Sequence, residues 1–252
     1  MSIHTTAEQG FTAGVSAYDK ARPDYPAECT QYVIDALHID ESSVVADVGA
    51  GTGKFTQALV PTGATIIAVE PIDAMRDKLE GALPSVKAVA AAAESLPFAD
   101  GSIDAIVCAQ SFHWFNAQAA LAEFHRVLEH DGKLALVWNV RDDRIPWIHA
   151  LEGIITEYET ITPHRDLHTV HHALHGLFSE PVHREFVNVQ ELSEDGLVTR
   201  IASISFIAML PVHEQERVAA RVRELVRTHE DTRNAATFQM TYRLHTYVSA
   251  IA

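Results

Sequence analysis

Two carboxylates and a run of glycines are the residues in this chain whose types and spacing could do chemistry. The stretch ADVGAGTGKF sets Asp47 at the end of an apolar run and follows it with Gly49, Gly51 and Gly53 before a helix-like segment. The next apolar run ends IIAVE, placing Glu70 within about 20 residues of the last glycine. In an open α/β sheet, a loop leaving the carboxyl edge of the first strand is where nucleotides bind. The spacing is one residue short of Gly-x-Gly-x-x-Gly, the dinucleotide fingerprint that turns a helix N-terminus toward a pyrophosphate. Glycines here would let a ligand approach the backbone, and the Asp47 carboxylate suits an ammonium group. Glu70 is placed to accept both hydroxyls of a ribose. Ammonium and ribose together point to S-adenosylmethionine. The alternatives are a tight strand-to-helix turn with Glu70 as a solvated strand end, or a nicotinamide-dependent oxidoreductase that the glycine spacing disfavours.

Periodicity supplies the elements that must position these residues. From about residue 43, short apolar runs alternate with helix-like segments: SVVADV, GKFTQALV, ATIIAVE, IDAMRDKLEG and VKAVAA. Strands alternating with helices imply a parallel sheet of buried strands under covering helices. SIDAIVCA continues as a strand, and a helix runs from Ala117 to Glu129 with Asn116 as its N-cap. KLALVWN then follows the turn His130-Asp131-Gly132. Residues 147–230 turn mostly helical around one strand-like run, REFVNVQEL, and read as a cap. The tail TFQMTYRLHTYVSAI alternates, with Phe238, Met240, Tyr242, Leu244, Thr246 and Val248 on one side, as an antiparallel strand closing the sheet would.

Bulk properties narrow the partners. A chain of 252 residues with 47% hydrophobic content can bury a full core as one large α/β domain or one domain with an insertion. Its net charge of −15 disfavours nucleic acid and anionic membrane surfaces and leaves small molecules open. The N-terminus MSIHTTAEQGFTAG has no basic start before an apolar run, and ISFIAML is too short to span a bilayer, so a cytoplasmic location is expected. Cys29 and Cys108 share no motif spacing and are expected to be reduced, with Cys108 buried. The oligomeric state is open.

Several further strings, in order along residues 18–143, carry a resemblance: YDKARPDYP, EPIDAM, AESLPF, AQSFHWF and RVLEHDGKLALVWNVRDD. With the glycine loop, they make the chain resemble the class I S-adenosylmethionine-dependent methyltransferases, within the small-molecule group that includes trans-aconitate methyltransferases. The resemblance implies a doubly wound, Rossmann-like, mostly parallel seven-stranded α/β sheet with an antiparallel last strand and a helical cap insertion. It implies a single domain: an N-terminal lid over residues 1–40, a cofactor-binding half over 41–143, a mostly helical cap with one strand over 144–236, and a final strand over 237–252. Asp47, Gly49, Ala50, Gly51 and Gly53 would hold the methionyl part of the cofactor, Glu70 and Pro71 the ribose, and Met75 and Ala93 the adenine. Gln110 and Ser111 would lie near the transferable methyl, while Tyr18 and Arg22 would close over the cofactor with Arg22 pairing its carboxylate. Where many relatives carry an acid two residues before the Glu of AESLPF, this chain has Ala92, so adenine recognition falls to backbone groups or Glu94.

Methyl transfer is an in-line displacement in which positioning does most of the work. A base is needed only for an acceptor that arrives protonated, and the candidate near the expected methyl is His113, which could equally be a satisfied core histidine. A carboxylate acceptor needs no base and wants cations, for which Arg141 and Arg144 follow the fifth strand. Trp114 and Phe115 are expected to face the acceptor, and Trp138 and Trp147 either wall its pocket or pack the cap. The leading expectation is O-methylation of a carboxylate or other acidic metabolite; a catalytically silent cofactor-binding protein is the remaining alternative. Histidines 164, 168, 171, 172 and 175 make zinc conceivable, but with no nearby cysteine no metal site is expected.

Overall fold

Residues 22–159 and 174–252 are described by the structure, a computed structural model. Tyr18 and four of the clustered histidines, at positions 164, 168, 171 and 172, lie outside the described residues. Seven strands form one sheet in the order β3-β2-β1-β4-β5-β7-β6. They are β1 (Val44–Val48), β2 (Thr65–Val69), β3 (Lys87–Val89), β4 (Ile103–Ala109), β5 (Leu128–Arg141), β6 (Val182–Leu192) and β7 (Phe238–Ala250). β1 pairs in parallel with β2 and β4, and β5 in parallel with β4, whereas β7 runs antiparallel to both β5 and β6. The order reverses between β1 and β4, which makes the carboxyl ends of those strands the switch point where such sheets bind ligands.

The helices cover both faces, as the sheet's period of two requires. On one face Val45, Ala68, Val107 and Val137 pack with residues of α1 (Ala27–Leu37), α2 (Lys54–Leu59) and α3 (Asp73–Ala82). On the other, Ala46, Ile106, Leu134 and Leu136 pack with Leu121 and Phe124 of α4 (Ala117–Val127). Asn116 caps α4 by accepting a hydrogen bond from the Ala119 N–H at 3.2 Å, and α4 begins where its cap predicts. Each fully buried Leu or Phe stabilises the fold by about 1.5–3 kcal/mol over an exposed one.

A third core joins the helices of the later half to the sheet. It holds Trp147, Ile148 and Leu151 of α5 (Pro146–Thr156), Leu197 and Ile201 of α6 (Glu194–Ala202), and Val218, Val222 and Val226 of α8 (Val212–Thr228) against Met240 and Tyr242 of β7. The short α7 (Ser205–Ala208) adds Ile207. Trp147 packs in this core edge-on to Phe238, with ring centroids 5.3 Å apart.

Two sheet details depart from the sequence reading. β7 does not close the sheet; it lies inside it, and the strand expected within the cap segment, β6, forms the edge. Strict alternation along β7 accordingly holds only over residues 238–244, because residues 245–249 are buried on both faces. Cys29 and Cys108 are both buried and free. No helix among the described residues is long and apolar enough to cross a membrane.

Ile201→Ala should lower stability by about 2–5 kcal/mol, because that side chain is 1% exposed in the third core. Val187→Ala on the edge strand, where the side chain is 64% exposed, should stay within about 0.5 kcal/mol. Urea denaturation of the two variants beside the parent checks the contrast.

Candidate active site

The loop after β1 has no room for a side chain at its first glycine. Gly49 takes a left-handed φ of 72°, and a Cβ there would come 2.5 Å from Cβ of Ser111 and 3.1 Å from Cζ of Phe115. Ser111, just past β4, donates its hydroxyl to the Val48 carbonyl at 2.7 Å, drawing the two loops together across the switch point. At Gly51, a Cβ would meet only the Met75 sulfur at 3.9 Å, so this position faces open space. Gly53 serves packing instead, since a Cβ there would come 2.9 Å from Cγ of Leu79; its absence seats α2 against α3.

That open space is a cleft of about 1270 Å³, its mouth included, running along the carboxyl ends of the strands. Arg22, Asp47, Gly49, Ala50, Gly51, Glu70 and Pro71 line it, as do Met75, Ala93, Glu94, Gln110, Ser111, Trp114, Phe115 and Arg141. All of these were expected from sequence.

The two acids sit at its base. Asp47 ends β1, 1% exposed; its Oδ2 accepts the Thr56 hydroxyl at 2.6 Å, and its Oδ1 has no partner among the described residues. Burial pushes its pKa up to about 7, with the nearby Glu70 charge adding to the rise and the Thr56 hydrogen bond opposing it. Glu70, 4% exposed, accepts the Gly51 N–H at 2.8 Å and the Ile72 N–H at 2.9 Å. Its pKa is also raised by burial, against the pull of those two hydrogen bonds and Arg76. Glu94 accepts the Asn116 N–H at 2.7 Å, beside the small buried side chains of Ala92 and Ala93.

The chain turns sharply where β4 ends. Gln110 holds a φ of 61°, a conformation that costs a side-chain-bearing residue about 1 kcal/mol or more. Its amide Nε2 is buried with no partner among the described residues. The following 3-10 turn, Phe112–Trp114, splits the aromatic run. Phe112 packs in the core, while Trp114 and Phe115 line the cleft.

Three further expected site residues lie elsewhere. Trp138 is 3% exposed in the core against Phe112 and Tyr247, because side chains on β5 alternate and the cleft face is taken by Asn139 and Arg141. His113 is not among the lining residues, and its Nδ1 accepts the Trp138 indole N–H at 3.3 Å. That bond occupies one ring nitrogen and ties the imidazole to the core. Arg144 does not line the cleft either; its guanidinium grips both oxygens of Asp142 at 2.7 Å.

Other lining residues were given no role from the sequence. Tyr25 lies edge-on to Phe55 with centroids 4.9 Å apart, and Asn139 accepts from the Asn188 amide at 3.0 Å. Arg200, from α6, is the cation that sequence reading missed; it is 4% exposed and lines the cleft. Its visible mark in the sequence is a charge set among Leu197, Ile201 and Ile204, on what is otherwise an apolar helical stripe. Arg141 is bidentate to Glu152, and although burial works to lower its pKa, the charge and hydrogen bonding of Glu152, helped by Tyr242 and Glu159, together leave it raised. Among the described residues no cluster of His, Cys, Asp and Glu could hold a metal ion.

The polar atoms left over fit S-adenosylmethionine. Asp47 Oδ1 is an acceptor for an ammonium, Gln110 Nε2 is a spare donor, and the space above Gly51 admits a ligand against the backbone. The family model described as a methyltransferase domain matches residues 46–136. An uncharacterized methyltransferase-like protein of Schizosaccharomyces pombe is 35% identical over 246 residues, covering 95% of this chain and 94% of the relative. The crystal structure of the YcgJ protein from Bacillus subtilis shares the fold at a TM-score of 0.58 and 19% identity, over 89% of this chain and 97% of that one. Geranyl diphosphate C-methyltransferase from Streptomyces coelicolor A3(2), solved with S-adenosyl-L-homocysteine, shares it at a TM-score of 0.51 and 13% identity, over 89% of this chain and 76% of that one. These likenesses set the nicotinamide reading aside, and with a relative matched nearly end to end the chain belongs to the class I S-adenosylmethionine-dependent methyltransferases.

Proposed function

We propose that the protein is a cytoplasmic enzyme that methylates an oxygen of a small acidic metabolite, a carboxylate in the first instance, and that it acts on neither nucleic acid nor a membrane. The observation that carries this reading is a concentration of guanidinium groups at the cleft: Arg22, Arg141 and Arg200 all line it. Arg22 and Arg141 lie close enough to Arg200 for their charges to disfavour its own. Arg141 is paired with Glu152, which leaves the buried guanidinium of Arg200 as the group suited to an anion. The resemblance to trans-aconitate methyltransferases supports the same class of acceptor.

When bound, S-adenosylmethionine supplies a methyl carbon activated by its sulfonium. The residues do the holding. Asp47 would accept from the ammonium, the remaining lone pairs of Glu70 from the ribose hydroxyls, and Arg22 would pair the cofactor carboxylate; residues 27–37 of the expected lid are instead α1, packed on the sheet. Met75, Ala93 and Glu94 would flank the adenine. Trp114 and Phe115 would exclude water around the acceptor. A carboxylate is ionised at pH 7 and becomes a methyl ester without giving up a proton, so His113 need not act as a base. Its tie to Trp138 suits a packing role.

Incubating a metabolite pool with isotopically methyl-labelled S-adenosylmethionine and the enzyme should place the label in a base-labile ester of a small acid. Label found instead in amines or nucleic acid would refute the acceptor class, and no transfer at all would favour the catalytically silent alternative.

The raised pKa of Asp47 sets a pH dependence. A carboxyl whose folded pKa is lifted to about 7 stabilises the free fold at low pH, and that contribution is lost as pH rises through 7. To meet an ammonium it must be ionised, so cofactor binding below pH 7 must release its proton. Affinity should therefore fall by up to about tenfold per unit as pH drops from 7 to 5. Calorimetry in two buffers of different ionisation heat should register the released proton at pH 6. Asp47→Asn should bind more weakly at pH 7.5 and lose the slope.

A further inference from the structure

Arg200 is a buried cation without an anion. It is 4% exposed, and its Nη1 has no hydrogen-bond partner among the described residues. Its Nε donates to the Tyr242 hydroxyl at 3.3 Å, and that hydroxyl donates to Gln190 Oε1 at 3.1 Å. These neutral contacts orient the guanidinium and leave its charge uncompensated. Burial and the charges of Arg22 and Arg141 bring its pKa down to about 10, with Tyr242 pulling the other way.

The other two arginines are placed differently. Arg141 is held by both oxygens of Glu152, and Arg22 donates through Nη2 to the Ser203 carbonyl at 3.3 Å. Arg200 comes from α6, outside the stretch that supplies the glycine loop and the two acids, yet it lines the same cleft. A purely structural residue at this point of an apolar stripe would be expected to be apolar, since an unpaired buried charge is destabilising. Its presence there is accounted for by a ligand that supplies the missing anion.

We infer that Arg200 is the specificity-determining cation of the acceptor site, gripping an oxyanion of the acceptor other than the oxygen that is methylated. This rests on the reading of the protein as a methyltransferase of acidic metabolites. A guanidinium fixed at Nε presents its remaining N–H groups in a fork that matches a carboxylate or a phosphate group. The acceptor then carries two acidic functions, one at the methyl and one at Arg200.

Calorimetry on protein saturated with S-adenosylhomocysteine, titrated with succinate, citrate or inorganic phosphate, tests this and separates the two kinds of oxyanion. The parent should bind at least one of the three. Arg200→Met should weaken that anion by at least about tenfold and Arg200→Lys by less, while the affinity of each variant for S-adenosylmethionine stays within about threefold. Arg200→Met should also melt at or above the parent's temperature, since it removes an unpaired buried charge. The assignment is overturned if the parent binds none of the anions or Arg200→Met binds them as well as the parent does. It is equally overturned if cofactor affinity falls in step with anion affinity, which would make Arg200 a cofactor residue. A melting point lower by more than about 5 °C would make it structural. Failure of the parent to bind S-adenosylmethionine would bring down the methyltransferase reading itself, whereas intact cofactor binding with anion binding indifferent to Arg200 sinks this inference alone.

Discussion

At the switch point of the sheet the backbone after β1 and the side chain after β4 approach so closely that position 49 admits only a hydrogen. The contact is fastened by the Ser111 hydroxyl on the Val48 carbonyl, and by the N–H groups of Gly49 and Ala50 on the Val69 carbonyl at 2.8 and 3.1 Å. Glu70 extends the lock, because its carboxylate holds the Gly51 N–H. Three strand ends are thereby fixed to one another before any ligand arrives. Preorganisation of this kind is what an in-line displacement needs, since small misplacements of the reacting groups cost orders of magnitude in rate. Asp47, Glu70 and Gln110 inherit their positions from this lock.

The same region carries several buried polar atoms that the protein does not satisfy. Asp47 Oδ1, Gln110 Nε2 and Arg200 Nη1 are buried without partners, and all three residues line one cleft. Arg141, in the same cleft, is matched by Glu152, and the other such atoms among the described residues include Arg243 Nε, His245 Nε2 and Ser249 Oγ on β7. Unsatisfied burial is destabilising, and its clustering is the mark of a surface built to be completed by something else. The stability that tolerates it comes from three apolar cores, two on the faces of the sheet and one between β7 and the later helices. Exposed ion pairs such as Arg221 with Glu157 and Arg227 with Glu194 are screened by water and add little.

How much of this was legible in the sequence differed between the halves. The order of strands and helices up to Arg141, the cap of α4 and the glycine loop follow from local chemistry: apolar runs, an Asn before a periodic segment, glycines where side chains collide. The acids at 47 and 70 were legible because strand ends at a carboxyl edge are where ligands bind. Trp138 and His113 were misplaced for a reason that spacing alone does not resolve. A strand's alternation decides which face each residue takes, and β5 gives the cleft Asn139 and Arg141 rather than Trp138. His113 then follows the indole it accepts from, away from the lining. The place of β7 inside the sheet depends on pairing with β6 across a separation that no local pattern encodes.

Arg200 shows what a local pattern can still reveal in the second half. Alone it is one of many arginines; set on a stripe with Leu197, Ile201 and Ile204 it is a charge directed at a core. The third core fixes α6 through Leu197 and Ile201, and so fixes the arginine between them at the cleft. The groups suited to a cofactor thus come from strand ends locked to one another, whereas the cation suited to an acceptor hangs from a helix with its own packing. Arg22 is the link, lining the cleft while donating to the carbonyl of Ser203 just beyond α6. An architecture divided in this way lets the later helices change while the lock at Gly49 stays as it is.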